Sequence, residues 1–318
     1  LFDVSHMGRI FIEGEDARAL LNWVHSGKIN PEMSIGRARY GLICNEEGGI
    51  IDDGIIYRLG DNRYLLVANA SNTPEVLNWL SHWTNTYFSN TRVEDATNRI
   101  GMIALQGPEA INIMSDLSDF NPALTKPFHI TECKLNGNVI LAARTGYTGE
   151  DGLEIMPNVK DCQEIWDLLI GRGVAPAGLG ARDILRMEAA LPLHGNDISP
   201  YINPIEAGLD RFLDSGNEPF CGSEAIEIIR NRTPVRSFIG FQTVEKGALP
   251  RPHSVLLSNG LKIGEVSSGG YSPTLDRNIG LGYVQATAAS IGNRIQIDIR
   301  GRLIEAEVVQ TPFYRRPL

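Results

Sequence analysis

Cysteine is scarce and scattered. Cys44, Cys133, Cys162 and Cys221 are the only four in 318 residues, and none belongs to a CxxC pair. That spacing excludes a zinc ribbon or a disulfide framework and fits a reducing compartment. The six histidines are equally dispersed, with no HExxH or comparable ligand spacing, so no structural metal is implied. No apolar run approaches the roughly 20 residues of a membrane helix. Positive charge is in deficit: the net charge of -9 argues against broad binding to nucleic acid or to an anionic membrane. The opening LFDVSHMGRIFIEG has no charged n-region and no cleavage site, so it is not a signal peptide. It reads as folded sequence from Leu1 without an initiator Met, and the expectation is a fragment of a longer chain.

What is present is an ordinary globular composition, 42% hydrophobic and 21% charged, with length enough for two or three domains. One stretch stands out, GGIIDDGIIY from Gly48 to Tyr57. Ile50, Ile51, Ile55 and Ile56 flank two adjacent carboxylates, so the segment reads as a buried strand entered through a Gly-Gly turn. Successive side chains point to opposite faces, so Asp52 and Asp53 have different jobs. One faces solvent or a backbone partner, and the other faces whatever the strand lines. A carboxylate in an apolar setting has a raised pKa or a specific partner, and both suit proton handling. The alternative is a pair of turn-side or capping carboxylates at a strand end.

Around this strand the pattern predicts further elements. Strands are expected over Arg9 to Glu13, Ala38 to Cys44, Tyr64 to Ala68 and Gly101 to Leu105, with a short helix from Glu15. Ser71-Asn72-Thr73-Pro74 is a cap followed by proline, opening a helix with Val76, Leu80, Trp83 and Tyr87 on its apolar face. Gly107-Pro108 opens another through Met114, and a fourth runs from Val159 to Leu169 with Cys162, Ile165, Trp166 and Leu169 inward. Glu132 to Arg144 reads as a hairpin around Asn136-Gly137. The arrangement expected is α+β, βαβ-rich, in two related halves over residues 1–213. A connector over 214–235 with a short helix near Ala225 leads to a β-barrel or sandwich over 236–318.

Three further places can carry chemistry. Glu154 leaves the glycine-crowded turn Tyr147 to Gly152, and alternation puts it on one face with Gly152. An inward carboxylate accepts two parallel N–H bonds from a flat amidine-like edge such as that of a guanine or a pterin. The other reading of Glu154 is an ion pair with Arg182 or another arginine. GLGA at Gly178 to Ala181 lacks the strand-GxGxxG-helix context and is weak as a dinucleotide fingerprint. Arg182, near a helix start, suits a carboxylate-bearing ligand, or else a salt bridge to Asp183, Glu188 or Glu154. His194 before Gly195 is either a base or a satisfied loop residue.

These segments together carry a resemblance. LFDVSHMG, NEEGGIIDDGIIYR, LQGP, RTGYTGEDGLEI, PAGLGARDILRMEA, NPIEAGL, IGEVSSGGYSPTL and the closing PFYRR resemble the aminomethyltransferase family, the T-protein of the glycine cleavage system, over nearly the whole chain. The resemblance implies folate-binding domains around a central channel, closed on one side by the C-terminal β-barrel. It implies tetrahydrofolate as co-substrate and a lipoylated H-protein as partner, in a bacterial cytoplasm or a mitochondrial matrix. By motif position, Asp53 matches the catalytic aspartate and Glu154 the pterin-binding glutamate. Tyr40, Asn69, Arg182, Tyr147, Met7 and Arg315 match folate-contacting or wall positions. Two departures bear on the substrate. Gly54 stands where the family usually has leucine, which is expected to loosen packing beside Asp53. Phe128-His129 stands where an aromatic pair with a tyrosine is common. The alternatives are a tetrahydrofolate-dependent demethylase of a small O-, N- or S-methylated compound, and a non-enzymatic folate-binding protein of iron–sulfur assembly. The latter carry a KGCYxGQE-type segment, which is missing at Cys221-Gly222-Ser223.

Overall fold

The computed structural model describes residues 1–213, 218–245, 247 and 249–316. The start of the connector expected over 214–235 therefore falls on residues outside the described set.

Chain order through the first part is β1 (Phe2–Asp3), β2 (Gly8–Glu13), α1 (Ala17–Val24), β3 (Ala38–Cys44), β4 (Ile50–Gly60), β5 (Arg63–Ala68), α2 (Thr73–Thr86) and β6 (Arg92–Asp95). Next come β7 (Ile103–Gln106), α3 (Ala110–Leu117), β8 (Ile130–Leu135), β9 (Asn138–Ala143), β10 (Gly152–Pro157), α4 (Cys162–Gly171) and α5 (Leu179–Glu188). Two five-stranded sheets result, ordered β3-β4-β5-β2-β6 and β8-β9-β10-β7-β1. The orders correspond strand for strand, and each half has one helix after its first strand and one after its fourth. Every pairing in both sheets is antiparallel, yet β5 and β6 both flank β2 and so run parallel to each other, joined through α2 as a split βαβ unit. Short turns such as Asn136-Gly137 join the adjacent antiparallel strands.

The layers follow from patterning. α1 buries Ala17, Leu20, Leu21 and Val24, a helical stripe, and packs with Val76, Leu80 and Trp83 of α2 on one face of the first sheet. Ile165 and Leu169 of α4 cover the second sheet with α3. The free faces meet: Phe11, Ala38, Tyr57, Leu65 and Val67 pack against Ala104, Ile130, Ala143 and Met156. Tyr87, expected inward on α2, is instead 70% exposed and stacks on Trp83 from outside. It caps the helix, where the chain has already turned away from the sheet. Asn72 occupies the N-cap position without capping; its side chain is diverted to the Ile51 carbonyl at 2.7 Å.

After α6 (Ser223–Arg230) the chain forms β11 (Arg236–Thr243), β12 (Val255–Ser258), β13 (Leu261–Ser272), β14 (Arg277–Gln285), β15 (Arg294–Ile299) and β16 (Arg302–Val309). These close into a barrel, because β16 pairs back onto β11. Phe241, Leu256, Val284, Ile297 and Val308 fill it. The barrel docks on α5 through Ile184 and Met187 against Ile279 and Leu281. Beside that apolar seam lies a polar one. Asp197, fully buried, accepts from Arg186, the Leu193 N–H, Ser267 and Ser268, and Glu188 accepts from Ser272 and Thr274.

Candidate functional site

Alternation along β4 sends Asp53, Ile55 and Tyr57 toward the second sheet, and Asp52 and Ile56 toward the helices. On β10, Glu154 lies opposite Ala104 and Ala143 and shares a face with Met156, toward the first sheet. Asp53 and Glu154 thus come from facing sheets, onto the space between them.

The two aspartates, on opposite faces, meet at one residue. Asn69, just past β5, donates its side-chain amide to Asp52 Oδ1 and to Asp53 Oδ1, both at 2.7 Å, and its backbone N–H to Asp52 Oδ2 at 3.2 Å. The start of α2 holds this turn, since Thr73 donates to the Asn69 carbonyl and Asn72 to that of Ile51. Tyr40 on β3 donates its O–H to Asp53 Oδ2 at 2.8 Å, and its ring meets Phe212 edge-on. Asp52 is fully buried; burial first, then the charge of Asp53, pushes its carboxyl up to about 7 against the hydrogen bonds from Asn69. Burial also raises Asp53, opposed by the bonds from Tyr40 and Asn69 and by His194. The pair can hold or release a proton near neutral pH.

Glu154 is buried and takes the Thr145 O–H at 2.6 Å, while Thr145 exchanges a hydrogen bond with the Tyr57 phenol at 2.9 Å. Burial raises its pKa, and Thr145, Arg182 and Tyr57 oppose the rise. Among the described residues no ion pair joins Glu154 to Arg182. Neither does Arg182 bridge to Asp183 or Glu188; Asp183 pairs with Arg186. The Arg182 guanidinium instead lies 4.8 Å over the Tyr147 ring, and its Nη1 is buried with no hydrogen-bond partner. Tyr147 is held by its O–H to the Pro192 carbonyl.

The predicted residues therefore fall into groups. Asp53, Tyr40 and Asn69 form one contact set, and Tyr147 with Arg182 another, electrostatically linked to Glu154. Met7 is half-buried against the inter-sheet cluster. Arg315 stands exposed and apart, although its neighbour Tyr314 donates its O–H to Glu150 at 2.6 Å and its N–H to the Glu188 carbonyl. Sequence reading missed Thr145 and Tyr57 as the residues that hold Glu154. Tyr57 carried a signal, being on the face of Asp53 by alternation; Thr145 carried none.

The expected loosening at Gly54 does not occur. A Cβ there would stand 2.8 Å from the Val67 carbonyl oxygen and 3.1 Å from Leu66 Cδ1, so the site has no room for a side chain. Gly54 also lies opposite Gly41, where a Cβ would strike the His25 ring at 2.5 Å. Buried His25 fills the space that larger residues would occupy. Cys221 is 2% exposed in the first core, its thiol pushed up to about 12 by burial. A separate hollow of about 650 Å³ opens farther along β4 and β10, lined by Ile35, Arg58, Arg63, Ile130 and Leu141, and contains none of the predicted site residues.

Residues 1–216 match the family described as the GCVT N-terminal domain, and residues 236–315 match the glycine cleavage T-protein C-terminal barrel domain. The aminomethyltransferase of Geobacillus kaustophilus is 39% identical over 99% of this chain and 87% of the relative. That of Bacillus subtilis is 38% identical over 99% of this chain and 88% of its own. Among solved structures, the glycine cleavage system aminomethyltransferase T from Bartonella henselae superposes with a TM-score of 0.91 at 32% identity, over 98% of this chain and 85% of that one. With both parts of the chain matched, the chain belongs to the glycine cleavage T-protein family, and these relatives are aminomethyltransferases.

Proposed function

We propose that this chain moves the aminomethyl carbon of a lipoylated H-protein onto tetrahydrofolate, releasing ammonia and forming 5,10-methylenetetrahydrofolate. The observation that supports this best is the pair of inward carboxylates, Asp53 and Glu154, on facing sheets. The residues fit a folate. Glu154 is a buried acceptor for a pterin edge, and the orphaned Arg182 Nη1 is a buried donor for an anionic or carbonyl group. Tetrahydrofolate supplies the nucleophilic nitrogen that takes the carbon.

The chain's own residues do the rest. Glu154, fixed by Thr145, orients the bound ring, and a reactant held in register needs less entropy to react. Tyr147 and Arg182, stacked together, wall that position; Met7, half-buried against the inter-sheet cluster, and exposed Arg315 are assigned to the outer wall and rim. Asp53, clamped by Tyr40 and Asn69, acts as base or electrostatic stabiliser while positive charge develops on the transferred carbon. Buried Asp52 shares Asn69 with Asp53, whose charge helps keep the Asp52 carboxyl protonated.

Of the two departures that favour a small methyl donor, the one at Gly54 loses its force, because it opens no extra room, while Phe128 keeps that reading open. A scaffold role acting through Cys221 would need an accessible thiol, and this one is buried. The test is ammonia release with tetrahydrofolate, offering aminomethyl-lipoyl H-protein beside a panel of methylated small molecules. Turnover with H-protein alone supports the proposal. Turnover only with a small methyl donor overturns it in favour of a demethylase.

A further inference from the structure

His194 lies in the segment that leaves α5 and passes over the start of β4. The backbone around it is tied down on both sides. Pro192 accepts from Tyr147, the Leu193 N–H donates to Asp197 at 2.9 Å, and the Gly195 N–H donates to the Ile198 carbonyl at 2.9 Å. Farther on, Ile202 accepts from the Ile50 N–H at 2.9 Å, which fixes the segment to the aspartate strand itself. The imidazole is thus presented by a rigid loop. It lies against the Ile51 carbonyl and within electrostatic reach of Asp53.

Its Nε2 is buried and has no hydrogen-bond partner. A buried polar atom without a partner is destabilising, and native folds keep few of them. Among the described residues, the others are three indole nitrogens and the Thr91 hydroxyl, besides Arg182 Nη1 at the folate-side wall. His194 Nε2 belongs to the ring that lies within electrostatic reach of Asp53. Burial keeps the ring neutral at neutral pH, so one nitrogen bears the proton and the other a lone pair. With the proton on Nδ1, the unpartnered Nε2 carries the lone pair. An ionised Asp53 and a bare imidazole nitrogen are both acceptors. What completes them is a donor group.

We propose that His194 contacts the one-carbon donor, its Nε2 accepting a hydrogen bond from an N–H on the nitrogen attached to the carbon being transferred. The site would then select donors with a primary or secondary amine there over O-methyl, S-methyl and fully substituted amine compounds. This rests on the aminomethyl-transfer reading and adds the residue that reads the amine.

The experiment compares the full-length wild type with H194F, H194M and H194Q. It measures kcat and KM for aminomethyl-lipoyl H-protein by ammonia release, and the tetrahydrofolate Kd by calorimetry. H194F and H194M fill the space without an acceptor, and either serves if the other does not fold. They are expected to raise the donor KM about tenfold, with the folate Kd within about twofold of wild type. H194Q, whose amide oxygen accepts, should recover to within about threefold. Unchanged donor KM in H194F and H194M, with a working wild type, overturns the His194 assignment alone. Parallel loss of folate affinity in all three variants also overturns it, in favour of a packing role. A wild type that releases no ammonia from the aminomethyl donor overturns the aminomethyl-transfer reading, and this assignment with it.

Discussion

Tyr40 and Asp53 stand on adjacent antiparallel strands, and the phenol donates to Asp53 Oδ2 at 2.8 Å. Asn69 holds the other carboxylate oxygen at 2.7 Å, so the group has one orientation. Asp53→Asn keeps the shape and removes the charge. Turnover should fall about 10²- to 10⁴-fold with the folate Kd unchanged. Tyr40→Phe, which only frees the carboxylate to rotate, should lose less. Near-wild-type turnover by Asp53→Asn would show that the residue is not the proton-handling group.

Glu154 is tested by binding. Removing the charge from a buried acceptor weakens a charge-assisted bond, so Glu154→Gln should weaken tetrahydrofolate binding about 10- to 100-fold. At saturating folate, kcat should change much less. Equal folate affinity in the variant and the wild type, measured by calorimetry, would remove Glu154 from the pterin site.

Asp52 makes a stability prediction with a definite sign. Its native pKa, about 7, lies above the ordinary aspartate value, so from about pH 4 to pH 7 the native state binds more protons than the unfolded one. Native stability therefore falls as pH rises through that window. Asp52→Asn keeps an oxygen to accept from Asn69 and removes the Asp52 share of the slope, leaving that of Asp53 and Glu154. Relative to wild type, its Tm should be several degrees more favourable at pH 8 than at pH 5. The same Tm difference at both pH values would contradict the assignment.

Asp197, in a buried ion pair with Arg186 of α5, ties that helix to the barrel by accepting from Ser267 and Ser268 of β13. Asp197→Ala strands that guanidinium and should cost about 3–5 kcal/mol in denaturant unfolding. Ser267→Ala removes one donor to the buried carboxylate and should cost about 1.5–3 kcal/mol, and Ser268→Ala, which also removes an acceptor for Arg186, should cost at least as much.

Gly54→Leu tests close packing beside the site. A Cβ 2.8 Å from the Val67 carbonyl forces backbone to move, which should cost about 1–3 kcal/mol and lower turnover through the displaced Asp53. An unchanged Tm would mean that β5 can yield there.

Much of the local structure was legible because it depends on near neighbours. The bounds of β3, the Asn136-Gly137 hairpin and the apolar stripe of α1 depend on the period of apolar residues and on turn chemistry, both local in the chain. Tyr87 misled because helical spacing persists past the point where α2 stops facing the sheet. Barrel and sandwich could not be separated, since inward alternation is the same in both; the pairing of β16 with β11 decides, and it joins the two ends of the domain.

At the site the division is the same. The sequence by itself determined that Asp52 and Asp53 sit on one buried strand and point apart, because a strand repeats every two residues. It also determined that Glu154 shares its face with Gly152. Only the tertiary structure decided that Asn69 reunites the aspartates, that Thr145 rather than Arg182 holds Glu154, and that His194, within electrostatic reach of Asp53, keeps an unpartnered nitrogen. Those relationships join residues far apart in the chain, and only the packing of the two sheets, with α5 and its following loop across them, sets the distances between them.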